Sequence, residues 1–185
     1  KRISYIIFLY FFFTNNLFSF PKEIVINLNP KNFGNYQKNI VRAQIEKSEN
    51  IKNKYKKWID GSIIEYNGTK KRIKLRITGD WKDHLNTNTR QNIHFWSSLY
   101  VKVVDDNFDG VTRFKLLLPK TRFGVEHIFW NNLMNYYGYN TLKMRLIKVT
   151  LNNISYQAII EEVPRKEFLE RNLIREVPII EFDER

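Results

Sequence analysis

The chain contains no cysteine. A disulfide framework, a thiolate metal site, a cysteine nucleophile and a redox dithiol are therefore excluded. The compartment stays open, because exported chains also manage without disulfides. No Walker A loop, no His-Glu-x-x-His pair and no nucleophile elbow occurs. No internal repeat is visible. Glycine is scarce, with 7 in 185 residues, while Lys, Asn, Ile, Tyr and Phe are frequent. That bias looks like one of coding sequence rather than of function. The first residue is Lys1 and not methionine, so the chain is expected to be cut from a longer protein.

What is present is enough for a packed core. Hydrophobic residues make up 43% and charged residues 27%, which places the chain with ordered domains, at a length suited to one domain or part of one. The formal charge is +12. It is unevenly spread: residues 1–145 carry 25 basic and 11 acidic groups, and residues 146–185 carry 6 and 8. The excess is mostly lysine scattered among Asn and Ile, as in Lys52-Asn53-Lys54-Tyr55-Lys56-Lys57. Nucleic-acid binders concentrate arginine with stacking aromatics or carry a recognisable reading module, and none occurs here. General basicity without a nucleic-acid partner is the expectation.

Lys1 and Arg2 precede nine apolar residues, Tyr5 to Phe13. A basic start and a short apolar run are parts of an export signal. Spanning a bilayer as a helix takes about 20 apolar residues, so this run falls short. No small-x-small cleavage site follows. Residues 1–20 are therefore expected to be a signal or an uncleaved signal anchor that packs apart from the domain, associates with a membrane, and places the protein in the cell envelope or outside the cell.

Pro21 to Ile26 reads as an extended lead-in and Asn27 to Asn35 as a turn-rich connection. Tyr36 to Ile59 lacks Pro and Gly, and Val41, Ile45, Ile51, Tyr55 and Trp58 recur at near-helical spacing. This predicts an amphipathic helix with a basic outer face, and residues 21–60 form one unit with the lead-in. Strands are predicted at Ser62–Tyr66, with Asn67-Gly68 as a hairpin turn, then at Lys71–Thr78, Ser98–Val103 and Thr112–Leu118. Val125–Tyr137 reads as a helix stopped by Gly138. Thr141–Thr150 and Ile154–Ile160 form a hairpin around Asn152-Asn153, Pro164 opens a helix over Arg165–Arg175, and Val177–Phe182 starts another strand. The order predicts an α+β fold.

Three constellations could carry chemistry. Gly79-Asp80-Trp81-Lys82-Asp83-His84 puts two carboxylates and an imidazole within a few positions, suited to acid–base work or a metal, or else to a structured turn. His94 and His127 stand alone and read as packed. Lys102 and Lys115 lie on strands ahead of Glu126 on a helix, the order in which a phosphate-holding lysine and its orienting glutamate occur. Glu161-Glu162 ends a hairpin strand, where paired acids line a cleft or cap the next helix.

Taken together, the run from Leu75 onward resembles the CotH kinase-like family, the spore-coat protein H group of atypical kinases. Leu75 to His84 is similar to that family's R-x-x-G-D-x-x-D-H segment. Ser98–Val103 is similar to its basic strand, and Phe114-Lys115-Leu116 with Pro119 and Arg122 to the following strand and loop. Glu126, Leu133 and Gly138 match its helix. Val149 to Glu162 resembles its hairpin, with Asn153 and Gln157 or Ala158 where the family has glycines, and Phe168 to Asn172 resembles the continuation. The resemblance covers about 110 of 185 residues.

It implies residues 61–185 as the N-terminal portion of such a kinase: an antiparallel sheet with a packed helix, resembling an atypical protein-kinase N-lobe. It implies ATP and Mg2+ as cofactors and transfer of the γ-phosphoryl to protein hydroxyls. Lys102 or Lys115 would hold phosphates, Glu126 would orient the lysine, Arg76 and Asp80 would support the site, and Glu162 would lie at the hinge. The catalytic-loop and magnesium-binding aspartates are expected beyond Arg185, Asp183 being no match. The other reading is a non-catalytic envelope binding module with the same fold.

Overall fold

Strands form where apolar and charged residues alternate, and the inward set builds a single core. The computed structural model describes residues 20–65, 68–87 and 95–180. In chain order the elements are β1 (Glu23–Asn27), α1 (Pro30–Ile45), β2 (Ile59–Ile64), β3 (Lys70–Ile77), β4 (Leu85–Asn86), β5 (Trp96–Ser97), β6 (Leu99–Val103), β7 (Arg113–Leu117), α2 (Glu126–Tyr136), β8 (Met144–Leu151), β9 (Ile154–Glu162) and α3 (Lys166–Arg171). The three strands β3, β6 and β7 are antiparallel neighbours, as the alternation predicts, with Leu75 opposite Val101 and Val101 opposite Phe114.

The sheet does not stay open. It closes into a seven-stranded mixed barrel in the order β1-β2-β3-β6-β7-β9-β8. β1 closes it, pairing antiparallel with β2 (Ile26 opposite Ile63) and parallel with β8 (Ile24 opposite Val149). This overturns the expected α+β architecture, an antiparallel sheet with a packed helix resembling an atypical protein-kinase N-lobe. Residues 21–26 were expected as a mere lead-in and Asn27 as the start of a turn-rich connection, yet Ile24 and Ile26 are fully buried between two strands. The helix expected to form a second layer, α2, buries none of its residues. Burial is therefore inside the sheet itself, where Ile73, Leu75, Leu99, Val101, Phe114, Leu116, Val149, Ala158 and Ile160 meet.

Two positions make the closure possible. Gly61 lies inside β2 rather than ending a helix. A Cβ there would come within 2.5 Å of Leu28 Cδ2 and 3.1 Å of the Asn27 carbonyl oxygen, so any larger residue would make Leu28 shift and press on the chain after β1. Asn152, in the β8–β9 turn, has φ +52° and reaches across to the chain after β1. Its Oδ1 accepts from Leu28 N–H at 2.9 Å and its Nδ2 donates to Leu28 O at 2.9 Å.

The long helix expected over Tyr36–Ile59 is α1, ending at Ile45. Asn29 caps it, its side chain accepting from Asn32 N–H at 2.8 Å, and Pro30 occupies the first turn where its missing N–H costs nothing. Trp58 and Ile59 belong instead to the approach and start of β2. Tyr36 anchors α1: buried, it accepts from Ser97 N–H at 3.0 Å and lies 3.1 Å from Ser97 Oγ, and burial pushes its hydroxyl pKa well up. The Arg165–Arg175 helix shrinks to Lys166–Arg171, and residues 177–180 carry no strand. Phe20 is fully buried, stacking on Phe108 at 6.5 Å and meeting Phe114 at a tilt at 6.2 Å. Phe20, expected within the segment that packs apart, is therefore part of the core, and residues 1–19 lie outside the described residues, as do Asn67, His94 and Asp183. No described helix is long and apolar enough to cross a membrane.

Candidate functional site: a basic, aromatic-walled groove on the barrel

The register of β3, β6 and β7 writes two rows of side chains onto the outer face of the barrel. In one row Asp60 on β2 stands opposite Lys74, Lys74 opposite Lys102, and Lys102 opposite Arg113. In the next, Arg76 stands opposite Tyr100, Tyr100 opposite Lys115, and Lys115 opposite Glu161 on β9. Alternation forces this, since the odd positions Ile73, Leu75, Val101 and Val103 go inward.

The first row is a run of cations with little to offset it. Lys74 Nζ lies 3.9 Å from Asp60, whose carboxylate is itself exposed. Lys102 and Arg113 form no ion pair among the described residues. Like charges directly opposite each other on a sheet are destabilising, by roughly 0.2–1 kcal/mol per pair. Trp58 walls the row, and together Trp58, Lys74, Lys102 and Arg113 line an open groove of about 410 Å³. Behind the wall, the Arg76 guanidinium stacks 5.1 Å from the Trp58 ring centre and 5.3 Å from that of Tyr100. The two rings meet edge to face at 5.7 Å. Arg76 Nε is buried without a hydrogen-bond partner. Arg76 thus holds the aromatic wall and adds positive charge beneath it.

The second row is compensated. Glu161, nearly buried, lies 4.0 Å from Lys115 Nζ and 3.3 Å from His127 Nε2 at the start of α2. The carboxylate beside Lys115 is therefore Glu161. Glu126 is exposed and forms no ion pair among the described residues, so the expected lysine–Glu126 pair is not assembled. His127, expected to be packed, is half-exposed against Glu161.

Glu162 lies on the opposite side of β9 from Glu161. Its carboxylate takes two bonds from Arg171 on α3, at 2.8 and 2.5 Å, and one from Lys143 N–H at 3.0 Å. It ties α3 to the barrel and does not reach the groove. Asp80 turns away as well, pairing with Lys56 Nζ at 2.8 Å, while its carbonyl oxygen accepts from Ile51 N–H at 2.7 Å.

The Gly79–His84 stretch is a latch. His84 Nδ1 sits 2.9 Å from Ser98 Oγ, which also accepts from Leu118 N–H at 3.0 Å. Burial lowers the His84 pKa and keeps the ring neutral. Gly79, at φ +93°, lies so close under that ring that a Cβ would fall 2.1 Å from it. The ring is buried and engaged by Ser98 Oγ. Structure suits this one better.

Of the sequence-based site residues, the fold brings Lys102, Lys115 and Arg76 onto one face and directs Asp80, Glu126 and Glu162 elsewhere. Trp58, Lys74 and Arg113 were missed as members of this face, because they come from three strands or their approaches, and Glu161 was singled out only beside Glu162, as a cleft-lining or capping acid. Their one sequence signal is the outward phase of each strand. No group of three or more His, Asp or Glu side chains among the described residues is placed to hold a metal. The groove itself is cationic, with only the exposed Asp60 at its edge, so these residues do not fit Mg2+. No protein-family model and no curated protein matches the chain.

Proposed function

We propose that the groove holds the phosphates of ATP and that the chain is the nucleotide-binding part of an envelope protein that transfers the γ-phosphoryl to protein hydroxyls. The observation that carries the binding half is the Lys74–Lys102–Arg113 row. Three cations held side by side, with only the exposed Asp60 3.9 Å from Lys74 to offset them, are a standing cost that a polyphosphate turns into a gain. Lys102, central in the row, is the residue best placed to bridge phosphate oxygens, and Arg113 offers a planar fork beside it. Trp58 offers a π-face within reach of the same volume, which favours a nucleotide over inorganic phosphate. The transfer half rests on the resemblance to CotH-like kinases, and the envelope on the basic and apolar start of the sequence.

A second reading has one observation in its favour. Phosphoryl transfer of this kind uses a lysine oriented by a helix glutamate. Glu126 pairs with neither lysine, which suits a module that binds the phosphate ligand without transferring it.

Titration of the chain with ATP, followed by Trp fluorescence and calorimetry, tests the binding half. Lys102→Ala should weaken affinity by about tenfold, the loss of one charge-assisted contact. Lys148→Ala, on a distant strand, should leave it unchanged. Equal affinity in both variants removes the groove as the site. Label transfer from γ-labelled ATP to envelope proteins then separates the two readings, binding without transfer favouring the module.

A further inference from the structure

Closure of the barrel limits what the groove can recognise beyond phosphate. Lys74, Lys102 and Arg113 sit on three strands that are each paired on both sides, β3 between β2 and β6, β6 between β3 and β7, and β7 between β6 and β9. Backbone N–H and C=O groups on such strands are engaged by their neighbours. Even at the end of the row, just outside the paired register with β9, the Arg113 carbonyl oxygen accepts from Val163 N–H at 3.1 Å. What the row offers a ligand is therefore side chain: three cations, which donate hydrogen bonds and accept none, beside the Trp58 ring. The exposed Asp60 carboxylate next to Lys74 is not among the residues that line the groove.

Bases are told apart by the donors and acceptors on their edges, and adenine is marked by an amino donor beside an acceptor. Reading it takes an acceptor for that amino group. Glu162, expected at the hinge, is occupied by Arg171 and Lys143 N–H. A π-face, by contrast, is common to every base. Trp58 presents such a face ready set. The Arg76 guanidinium lies over its ring and over that of Tyr100, and Tyr100 meets Trp58 edge to face. Arg76 Nε is buried with no hydrogen-bond partner, a cost that the two ring contacts offset. Trp58 is thus half-exposed yet held, so little ordering of its ring is needed when a base arrives.

We infer that the groove takes nucleoside triphosphates as a class, stacking the base on Trp58 without reading its edge, and that Arg76 is the positioning residue for that ring. The inference rests on the phosphate-binding half of the proposed function and widens its ligand from ATP to any base.

Calorimetric titration of the full chain with ATP, GTP, CTP, UTP and inorganic tripolyphosphate, all at one ionic strength, tests it. The four nucleotides should bind within about fivefold of one another, the purines tighter, and each roughly tenfold tighter than tripolyphosphate, the effect of one base stacked on an aromatic ring. Trp58→Ala, which truncates a half-exposed side chain, should bring all five ligands to one affinity. Arg76→Lys keeps the charge and loses the planar stack, and should narrow the margin over tripolyphosphate to about threefold. ATP binding more than about tenfold tighter than the other three nucleotides means that an edge is read, which overturns the inference and leaves the groove as a phosphate site. Tripolyphosphate binding as tightly as the nucleotides overturns it too, as does a margin that survives in Trp58→Ala. Arg76→Lys weakening all five ligands alike overturns the positioning role. Failure of all five to bind overturns the proposed function along with the inference.

Discussion

The interior of the barrel and the helix α2 are built from the same residue types and put them to opposite use. Phe108 and Phe114 meet at 5.5 Å in full burial. Phe129 and Trp130 meet at the same spacing with more than half of each surface exposed. Aromatic content in this sequence therefore does not mark the core. What separates the two regions is closure: strands that pair on both sides leave their inward side chains no route to water, whereas α2 touches the barrel mainly along β8. Stability is concentrated in the first region and surface chemistry in the second.

The sharpest way to break this contrast is to truncate one aromatic in each region. Phe114→Ala should cost about 3–5 kcal/mol in urea-unfolding free energy, and Phe129→Ala no more than about 0.5 kcal/mol. Comparable losses would mean that α2 is packed after all. Next in size is Glu162→Ala, which strands Arg171 and the Lys143 N–H and should cost about 3 kcal/mol, seen as a lowered midpoint and early release of α3 in hydrogen exchange.

The third effect depends on pH. His84 is held neutral, its folded pKa depressed below the ordinary 6.5 mainly by burial. The unfolded chain therefore binds the proton first, and stability present above pH 6.5 is lost as pH falls toward the folded pKa. Unfolding curves measured down through that window should show this slope, and His84→Gln should flatten it. An equal slope in the variant would assign the loss to carboxylates. The smallest effect is expected at Arg72 and Asp105, an ion pair in which both side chains are more than two-thirds exposed. Asp105→Asn should change stability by less than about 1 kcal/mol and lose even that in salt.

Reading the sequence found the sheet where local period suffices. Lys71–Thr78 and Ser98–Val103 alternate, as does Thr112–Leu118 as far as Leu116, and they are neighbours in the barrel. It failed where the decisive partner is remote. Nothing in Glu23–Asn27 announces a parallel partner at Lys148, so closure was invisible and an open sheet was expected. The start of α1 was legible in Asn29-Pro30, a cap followed by a first-turn proline, but the Asn-rich context favoured a turn. At the site, Lys102 and Lys115 were singled out because they lie on strands ahead of Glu126, the order that the kinase-like resemblance implies. Lys74 and Arg113 were not, because only register makes them neighbours of Lys102. Glu161 and Glu162 could not be told apart either, since β9 is buried on both faces where they occur and shows no alternation to assign them.

The parallel pairing of β1 with β8 also sets a schedule. Phe20 and Arg145 are 125 residues apart in the chain, so β1 is made long before its parallel partner exists. During synthesis, residues 20–27 wait with an open edge until the β8–β9 hairpin has left the ribosome. Such a high-separation closure slows folding relative to a sheet of consecutive hairpins.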